Sequence, residues 1–348
     1  MSMFTDLTSL TTVDLIKIIH MRPPQWSLFT TLFKRQAPSV DETFEIHRKT
    51  HSQNAIPVVS NWAPGIMRQQ EGWEALQIKA PRFRTKREFK AAEVFFKRDI
   101  GQTPYDIGGD ARARALAEDL DAHRKDHDYM LEIMCAQAAV YGTVNLYTVD
   151  LLTGAYKVAE VIDYKRPASH QITLAAADKW NVATSDLVNQ MEDGHRLIME
   201  DCNGMAATEL IMGMKAWNAF RKHADVKESL DNTMRLDAKS HIDLRIAQLY
   251  RGQWNGLNLY VYNGWYKDVD GTQKYYIDPN DALLITRQAD NVIEYARPID
   301  LECAGATDYF VKMYDEKDPS GIFTVAESRP LPICFYPTWS VLFKSVTK

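Results

Sequence analysis

"GGDARARALAEDLDAHRKDHDYMLEIMCAQAAVYG", residues 108–142, is the clearest helix in the sequence. Gly109 and the N-cap candidate Asp110 open it, and Gly142 closes it. Leu116, Leu120, His127, Leu131, Met134 and Ala138 fall on one stripe. At 1.5 Å per residue such a helix spans about 48 Å. Its first half carries opposite charges at i, i+4, Arg114 with Glu118 and Asp121 with Lys125, which predicts an exposed surface or one facing another chain. Its stripe needs partners from elsewhere, so the flanking segments decide the fold class.

Upstream, "KAPRFRTKREFKAAEVFFKR" (79–98) holds eight basic and two acidic residues. Positions 82, 84, 86, 88 and 90 are charged while Phe83 and Phe89 take the opposite parity, which is strand periodicity. The phase changes after Ala91 and Ala92, predicting a bulge or bend in a long two-stranded arm. Twenty residues of strand would reach roughly 65 Å, further than a single domain needs. Before it, residues 11–20 read as a short helix capped by Thr11 or Thr12 and ended by Pro23 and Pro24. The stretch to about residue 60 is polar with isolated Trp26, Phe29, Phe33 and Phe44, the pattern of an extended arm anchored on another surface by single aromatics.

Downstream, residues 143–174 alternate as strands with a turn at Thr153 and Gly154. Ser185 is the expected cap of a helix carrying Leu187, Val188, Met191, Ile198 and Met199, after which "ELIMGM" reads as a buried strand and "KAWNAFRKH" as a helix packing Trp217 and Phe220. "YVYNGWYKDVDGTQKYYIDPND" (Tyr260–Asp281) raises the question of a calcium loop at Asp268, Asp270 and Gly271. Ile277 stands where the loop requires a glutamate, so the segment reads as a hairpin turning at Asp270-Gly271 with tyrosines as cross-strand pairs.

The 348 residues are 45% apolar and 25% charged, an ordinary globular composition, and the net charge of −5 argues against a coat that neutralises phosphates. Cys135, Cys202, Cys303 and Cys334 are scattered singly, which suggests neither zinc ribbon nor disulfide framework. No run of about eighteen apolar residues occurs, so neither secretion by a signal peptide nor a membrane span is expected. His123 and His127 sit at i, i+4, a spacing that can hold a metal, but Arg124 occupies the place of a hydrolytic general base and would repel the ion. No nucleophile elbow, phosphate loop or nucleotide fingerprint appears. The reading is α+β, not an enzyme, without cofactor or metal.

The order of arm, bent hairpin, long helix, strands, α/β unit and returning strands resembles the tailed-phage major capsid fold of the Hong Kong 97 type. More closely, the chain is similar to the lambda-type major head proteins, the phage major capsid protein E family. Three stretches carry this: "MSMFTDL" with "WSLFTTLFKRQAPSVDETFEIHRK"; "ELIMGMKAWNAFRKH"; and the Tyr260–Asp281 hairpin with "ALLITR" and "YDEKDPSGIFTVAESRPLPICFYPTWSVLF". The resemblance implies an N-terminal arm (1–50), an extended loop over a neighbouring subunit (51–107), a spine helix with the first part of a peripheral domain (108–174), an axial domain (175–305) and closing peripheral strands (306–348). It implies a subunit that assembles with itself into hexamers and pentamers of an icosahedral shell enclosing double-stranded DNA without sequence-specific contact. Portal, scaffold and decoration proteins would be further partners, with assembly in the bacterial cytoplasm, location in the virion and no membrane. Expected contacts between subunits are Trp26, Phe29 and Phe33 from the arm, and Arg82, Arg84, Lys86 and Lys90 of the basic strand against Glu118, Asp119 and Asp121 of a neighbour's helix. Two alternatives stand beside it: an encapsulin-like compartment of the same fold, and a metal-dependent hydrolase using His123 and His127.

Overall fold

The computed structural model describes residues 12–21, 27–49, 58, 61, 73–90, 110–150, 155–202, 204–233, 241–242, 249–303, 305–317 and 320–347. Among them the chain forms helix α1 (Thr12–Met21), strands β1 (Lys34–Arg35), β2 (Thr43–Lys49), β3 (Trp73–Lys79) and β4 (Phe83–Lys90), helix α2 (Asp110–Tyr141), and strands β5 (Thr143–Val149), β6 (Tyr156–Asp163) and β7 (Gln171–Thr173). Helix α3 (Leu187–Asp201), strand β8 (Glu209–Met212) and helices α4 (Met214–Phe220) and α5 (Ala224–Thr233) follow. Strands then succeed one another: β9 (His241–Ile242), β10 (Tyr250–Trp254), β11 (Leu257–Val261), β12 (Trp265–Lys267), β13 (Gln273–Tyr275), β14 (Ala282–Ile285) and β15 (Val292–Tyr295). The last are β16 (Phe310–Lys317), β17 (Ser320–Ser328), β18 (Pro330–Ile333) and β19 (Ser340–Lys344).

Two compact units divide the chain, each drawn from three stretches: Met1–Phe44, Lys79–Cys135 and Val292–Ile333 in the first, and Glu45–Ile78, Ala136–Asn291 and Cys334–Lys348 in the second. Helix α2 belongs to the first unit through Cys135 and to the second from Ala136.

In the first unit, β4 has the expected alternation, with Arg82, Arg84, Lys86 and Glu88 exposed. Its partner is not a second strand of an arm but β17, antiparallel from Phe83↔Ser328 to Lys90↔Gly321, in a sheet of order β16-β17-β4. The predicted bend at Ala91 and Ala92 lies outside the described residues. Leu15 and Ile19 of α1 pack with Leu116, Leu120, Tyr309, Val311 and Ala326 in one buried cluster. Leu28, Phe29, Leu32 and Phe33 are also buried, Phe29 at 0% and Phe33 at 5% exposure. These arm residues therefore fill the core of their own unit, a difference from the expected extended arm. The reason is Glu132, an acidic residue on the apolar side of α2. Its carboxylate accepts from the Phe29 N–H (2.9 Å), the Thr30 N–H (2.7 Å) and the Thr30 hydroxyl (2.7 Å), which fixes the turn that carries Phe29. Burial raises its pKa, and those three donors work against that rise.

The first half of α2 is expected to be exposed or to face another chain, yet His123 and Arg124 are buried beside Leu116 and Leu120, as are His127, on the expected stripe, and Asp128 in the turn that follows. These polar groups pair with one another or with groups brought from distant parts of the chain. Arg124 Nε donates to Asp128 (3.1 Å), its guanidinium lies 4.0 Å from the Tyr309 ring centroid, and the Tyr309 hydroxyl donates to Asp128 (2.7 Å). The Thr324 hydroxyl donates to Asp119, so it accepts from His123 Nε2–H (3.0 Å). His123 Nδ1 is then the acceptor for the Thr85 hydroxyl at 2.7 Å, which fixes the tautomer. His127 Nε2 lies 3.4 Å from the same hydroxyl. Desolvation, aided by neighbouring His123, lowers the His127 pKa to about 4.

In the second unit, a seven-stranded mixed sheet runs in the order β7-β19-β14-β8-β11-β10-β9. Central β8 is buried along its length; its Glu209 is paired with Arg287. Helix α3 starts at Asp186, whose side chain accepts from the Asn189 N–H, and not at the expected Ser185. Its expected apolar face is divided: Leu187, Met191 and Ile198 are buried, whereas Met199 is exposed. A Cβ at Gly194 would stand 2.8 Å from Phe343 Cζ and 3.1 Å from a Leu284 methyl, so glycine there lets α3 lie close upon the sheet. Trp217 and Phe220 of α4 pack as expected, Phe220 against Trp254 at 5.3 Å and Trp180 at 5.9 Å.

The tyrosine-rich segment is a hairpin, but a shorter one than its sequence suggested. Tyr260 and Val261 belong to β11 in the main sheet, and only β12 and β13 pair around the turn at Gly271 (φ 76°). The tyrosines do cluster, with Tyr276 ring centroids 5.2 Å from Tyr266 and 5.6 Å from Tyr262.

The end of α2 also lies in this unit. Gly142, at φ 72°, donates to the Ala138 carbonyl. Arg166 supplies the rest of the cap, donating to the carbonyls of Val140 (2.7 Å), Ala139 (2.7 Å) and Ala138 (3.3 Å). The β5–β6 hairpin continues from it with a bulge at Ala159, since Leu146 faces Glu160 while Tyr147 faces Val158. Val144, Leu146 and Ile162 form its buried face.

A Cβ at Gly213 would meet the Asp278 carbonyl oxygen at 2.3 Å and Pro279 Cα at 2.6 Å, both rigid backbone. Gly213→Ala should cost at least about 2 kcal/mol, read as a lower denaturant midpoint at unchanged slope. His127 has a folded pKa below its unfolded value, so protonation favours the unfolded chain. Its contribution should be constant above the unfolded pKa of 6.5 and fall by about 3 kcal/mol as pH drops towards 4. Comparing unfolding free energies of wild type and His127→Gln across that range checks this; parallel curves would refute it.

Candidate functional site

The outward face of β4 concentrates the positive side chains that the sequence marked. Arg82 donates to Glu327 (2.6 Å) and to the Ile299 carbonyl (3.0 Å). Arg84 lies 3.5 Å from Asp300 and 3.7 Å from Glu327, its directly opposite residue on β17. Glu327, itself 1% exposed, also accepts from the Ile299 N–H at 2.8 Å. Asp300 receives Lys312 at 2.7 Å, and this pairing holds its carboxyl below the usual value despite burial. Lys86 Nζ stands 3.9 Å above the Phe323 ring and 5.5 Å from that of Tyr314, a pair of stacked aromatics. The side chain of Lys90 and the whole of Trp26 lie outside the described residues.

Arg82 and Arg84 thus find carboxylates within their own chain, Glu327 and Asp300, which are not among those marked by the sequence. The link to α2 is made by Arg87, on the opposite parity, to Asp126 (2.6 Å) and Asp119 (3.8 Å). Asp119 is further engaged by Thr324 and His123. Glu118 is exposed and Asp121 half-buried on the same helix. Glu327 and Asp300, which sequence reasoning missed, left a trace only in hindsight: Glu327 alternates in phase with the core residues Phe323 and Val325 of its strand.

Chemical constellations are present but committed elsewhere. His123 and His127 are tied to Thr85 and Thr324, and no group of three metal-ligating side chains occurs among the described residues. Ser185, His223 and Asp225 approach the spacing of a nucleophile, base and orienting acid. Their hydrogen bonds run the wrong way. The Ser185 hydroxyl donates to the Val182 carbonyl (2.8 Å), so it accepts from His223 Nε2–H (2.9 Å), while His223 Nδ1 accepts from the Asp225 N–H (3.4 Å). Asp225 in turn accepts from the Leu187 N–H at 3.2 Å, so the trio secures the start of α3. Cys202, buried against Thr338 at 3.0 Å, has its thiol pKa pushed up by burial to about 11, away from a reactive thiolate.

A family model described as phage major capsid protein E matches residues 11–344. The major capsid protein of Escherichia phage N15 is 25% identical over 197 residues, covering 53% of this chain and 56% of that protein. The major capsid protein of Enterobacteria phage phi80 is 25% identical over 190 residues, covering 52% and 54%. The chain thus spans about half the length of the curated relatives it matches. Among solved structures, a prophage protein of E. coli CFT073 assigned as its capsid protein matches with a TM-score of 0.69 at 19% identity, over 96% of this chain and 99% of that one. The mature capsid of bacteriophage PhiM1 matches at 0.55 and 11% identity, over 93% and 88%. These likenesses give the fold, which is the Hong Kong 97 type. With a match that runs through both compact units, the chain belongs to the phage major capsid protein E family.

Proposed function

We propose that this chain is the major shell subunit of a tailed double-stranded DNA phage or prophage, assembling through hexamers and pentamers into a closed icosahedral container for the genome. The observation that carries the reading is the family match from residue 11 to residue 344. The virion is its location and the host cytoplasm its place of assembly, with portal, scaffold and decoration proteins as partners. Its role is structural: work is done by surfaces repeated in every copy, and no reaction is assigned. Residues 175–305 form the axial domain in this reading, with 108–174 and 306–348 peripheral and 1–107 supplying arm and loop.

Lys86 and Lys90 are the basic residues we assign to a neighbour, where Glu118 and Asp121 receive them. The net charge of −5 supports a protein partner over phosphate for this face. Arg82 and Arg84 are already engaged by Glu327 and Asp300, so any contribution they make to a neighbour is indirect.

Negative-stain images of the purified chain should contain closed shells, or hexameric and pentameric rings; light scattering that reports a stable monomer across assembly-promoting salt and concentration removes the proposal. A single exposed ion pair contributes about 0 to 1 kcal/mol, so one substitution should be tolerated. The double variant Glu118→Lys/Asp121→Lys should impair assembly of empty shells without lowering the melting temperature by more than a few degrees, and adding Lys86→Glu should restore it in part. A Lys86→Glu variant alone that gives normal empty shells and fails only to retain DNA would assign the basic strand to the genome instead.

A further inference from the structure

Among the described residues, two of the places where exposed apolar side chains gather are left unexplained by the ion pairs above. One is the loop after β15. Its Ile299 is 52% exposed and Leu301 fully so. The loop is nevertheless tied at nearly every residue: Arg82 holds the Ile299 carbonyl, Glu327 the Ile299 N–H, and Arg84 with Lys312 the Asp300 carboxylate. The Cys303 N–H donates to the Asp300 carbonyl (3.1 Å), and Arg297 donates to the Cys303 carbonyl (2.9 Å). A leucine held in water on so many polar contacts is a presented knob; left loose, it could have folded down.

The other place is the outer face of the β5–β6 hairpin. The bulge at Ala159 shifts the phase of β6, so Val161, opposite Asn145, joins Val158, opposite Tyr147, and Tyr156, opposite Val149, on one face. Val149 is 48% exposed, Tyr156 47%, Val158 54% and Val161 50%. Without the bulge Val158 and Val161 would point to opposite sides. Four large exposed hydrophobics on one face of a two-stranded hairpin form a receptor surface rather than scattered exposure.

We infer that Ile299 and Leu301 of one copy of this chain dock on the Val149–Tyr156–Val158–Val161 face of a second copy. The inference rests on the shell reading, in which the neighbour's surface is made of the same chain. Knob and face are different patches, so their pairing is head-to-tail, the type of contact that closes rings. One leucine and one isoleucine on four side chains cover far less than the roughly 800 Å² per partner of a stable pair, so the contact holds only where other interfaces repeat it. The same geometry accounts for Arg82 and Arg84, which position the knob.

The test is a cysteine pair, Leu301→Cys with Val158→Cys in a Cys303→Ser background; the remaining native cysteines, Cys135, Cys202 and Cys334, are buried. Mild oxidation of assembled particles should give a ladder of covalent oligomers with the pair and none with either single variant. Leu301→Ser, and separately Val158→Ser/Val161→Ser, should raise the concentration needed for assembly roughly tenfold, with melting unchanged because these sites are exposed. Normal shells that show no ladder, or a ladder from either single variant alone, overturn the pairing and leave the shell reading standing. A wild-type chain that never assembles removes both.

Discussion

Helix α2 places five ionisable residues, His123, Arg124, His127, Asp128 and Glu132, where water does not reach. Burying such groups unpaired costs several kcal/mol each, so the surrounding chain is obliged to bring a partner to every one of them. Thr85 comes from β4, Thr324 from β17, Tyr309 from the approach to β16, and the Phe29–Thr30 backbone from the N-terminal segment. Apolar packing alone would tolerate a slipped register. Directional hydrogen bonds do not, because a shift by one residue turns Thr85 and Thr324 away from the histidines. The polar seam therefore selects the arrangement, while Leu15, Ile19, Leu116 and Leu120 supply most of the burial.

The same constraint explains why the arm is partly core. Glu132 needs donors, and the 3₁₀ turn at Phe29–Leu32 offers two backbone N–H groups and a hydroxyl at once. Once that turn is fixed, Phe29 and Phe33 are carried inward with it. A segment that looked like an appendage becomes part of a compact unit assembled from three stretches of chain.

Charge on β4 works in a similar way. Exposed arginines contribute little to stability by pairing, but Arg82 and Arg84 meet carboxylates that are themselves buried, and there the geometry is restrictive. The arginines stay partly in water and the carboxylates do not. Such pairs are suited to holding a loop in place more than to adding free energy. For a chain that acts through surfaces repeated over many copies, the shape of a loop matters at each repetition, and weak contacts add up.

Local pattern alone determined much of this protein. The period of the long helix, the alternation of β4, the buried run of β8, the tryptophan-bearing helix after it and the turn at Gly271 are all properties of neighbouring residues, so the sequence displays them directly. The order of these elements was enough for the resemblance in fold, and three stretches of sequence carried the resemblance to the family. Tertiary structure decided which strand pairs with β4, which carboxylates meet Arg82 and Arg84, and which residues of the arm are core. It also decided that the Tyr260–Asp281 stretch is split between the main sheet and a small hairpin. Each of these depends on groups dozens to hundreds of residues apart, such as Arg82 and Glu327 or Thr30 and Glu132. Periodicity records which face of an element is apolar; it carries no record of which distant donor will satisfy a buried carboxylate, because that is fixed only when the chain has closed around it.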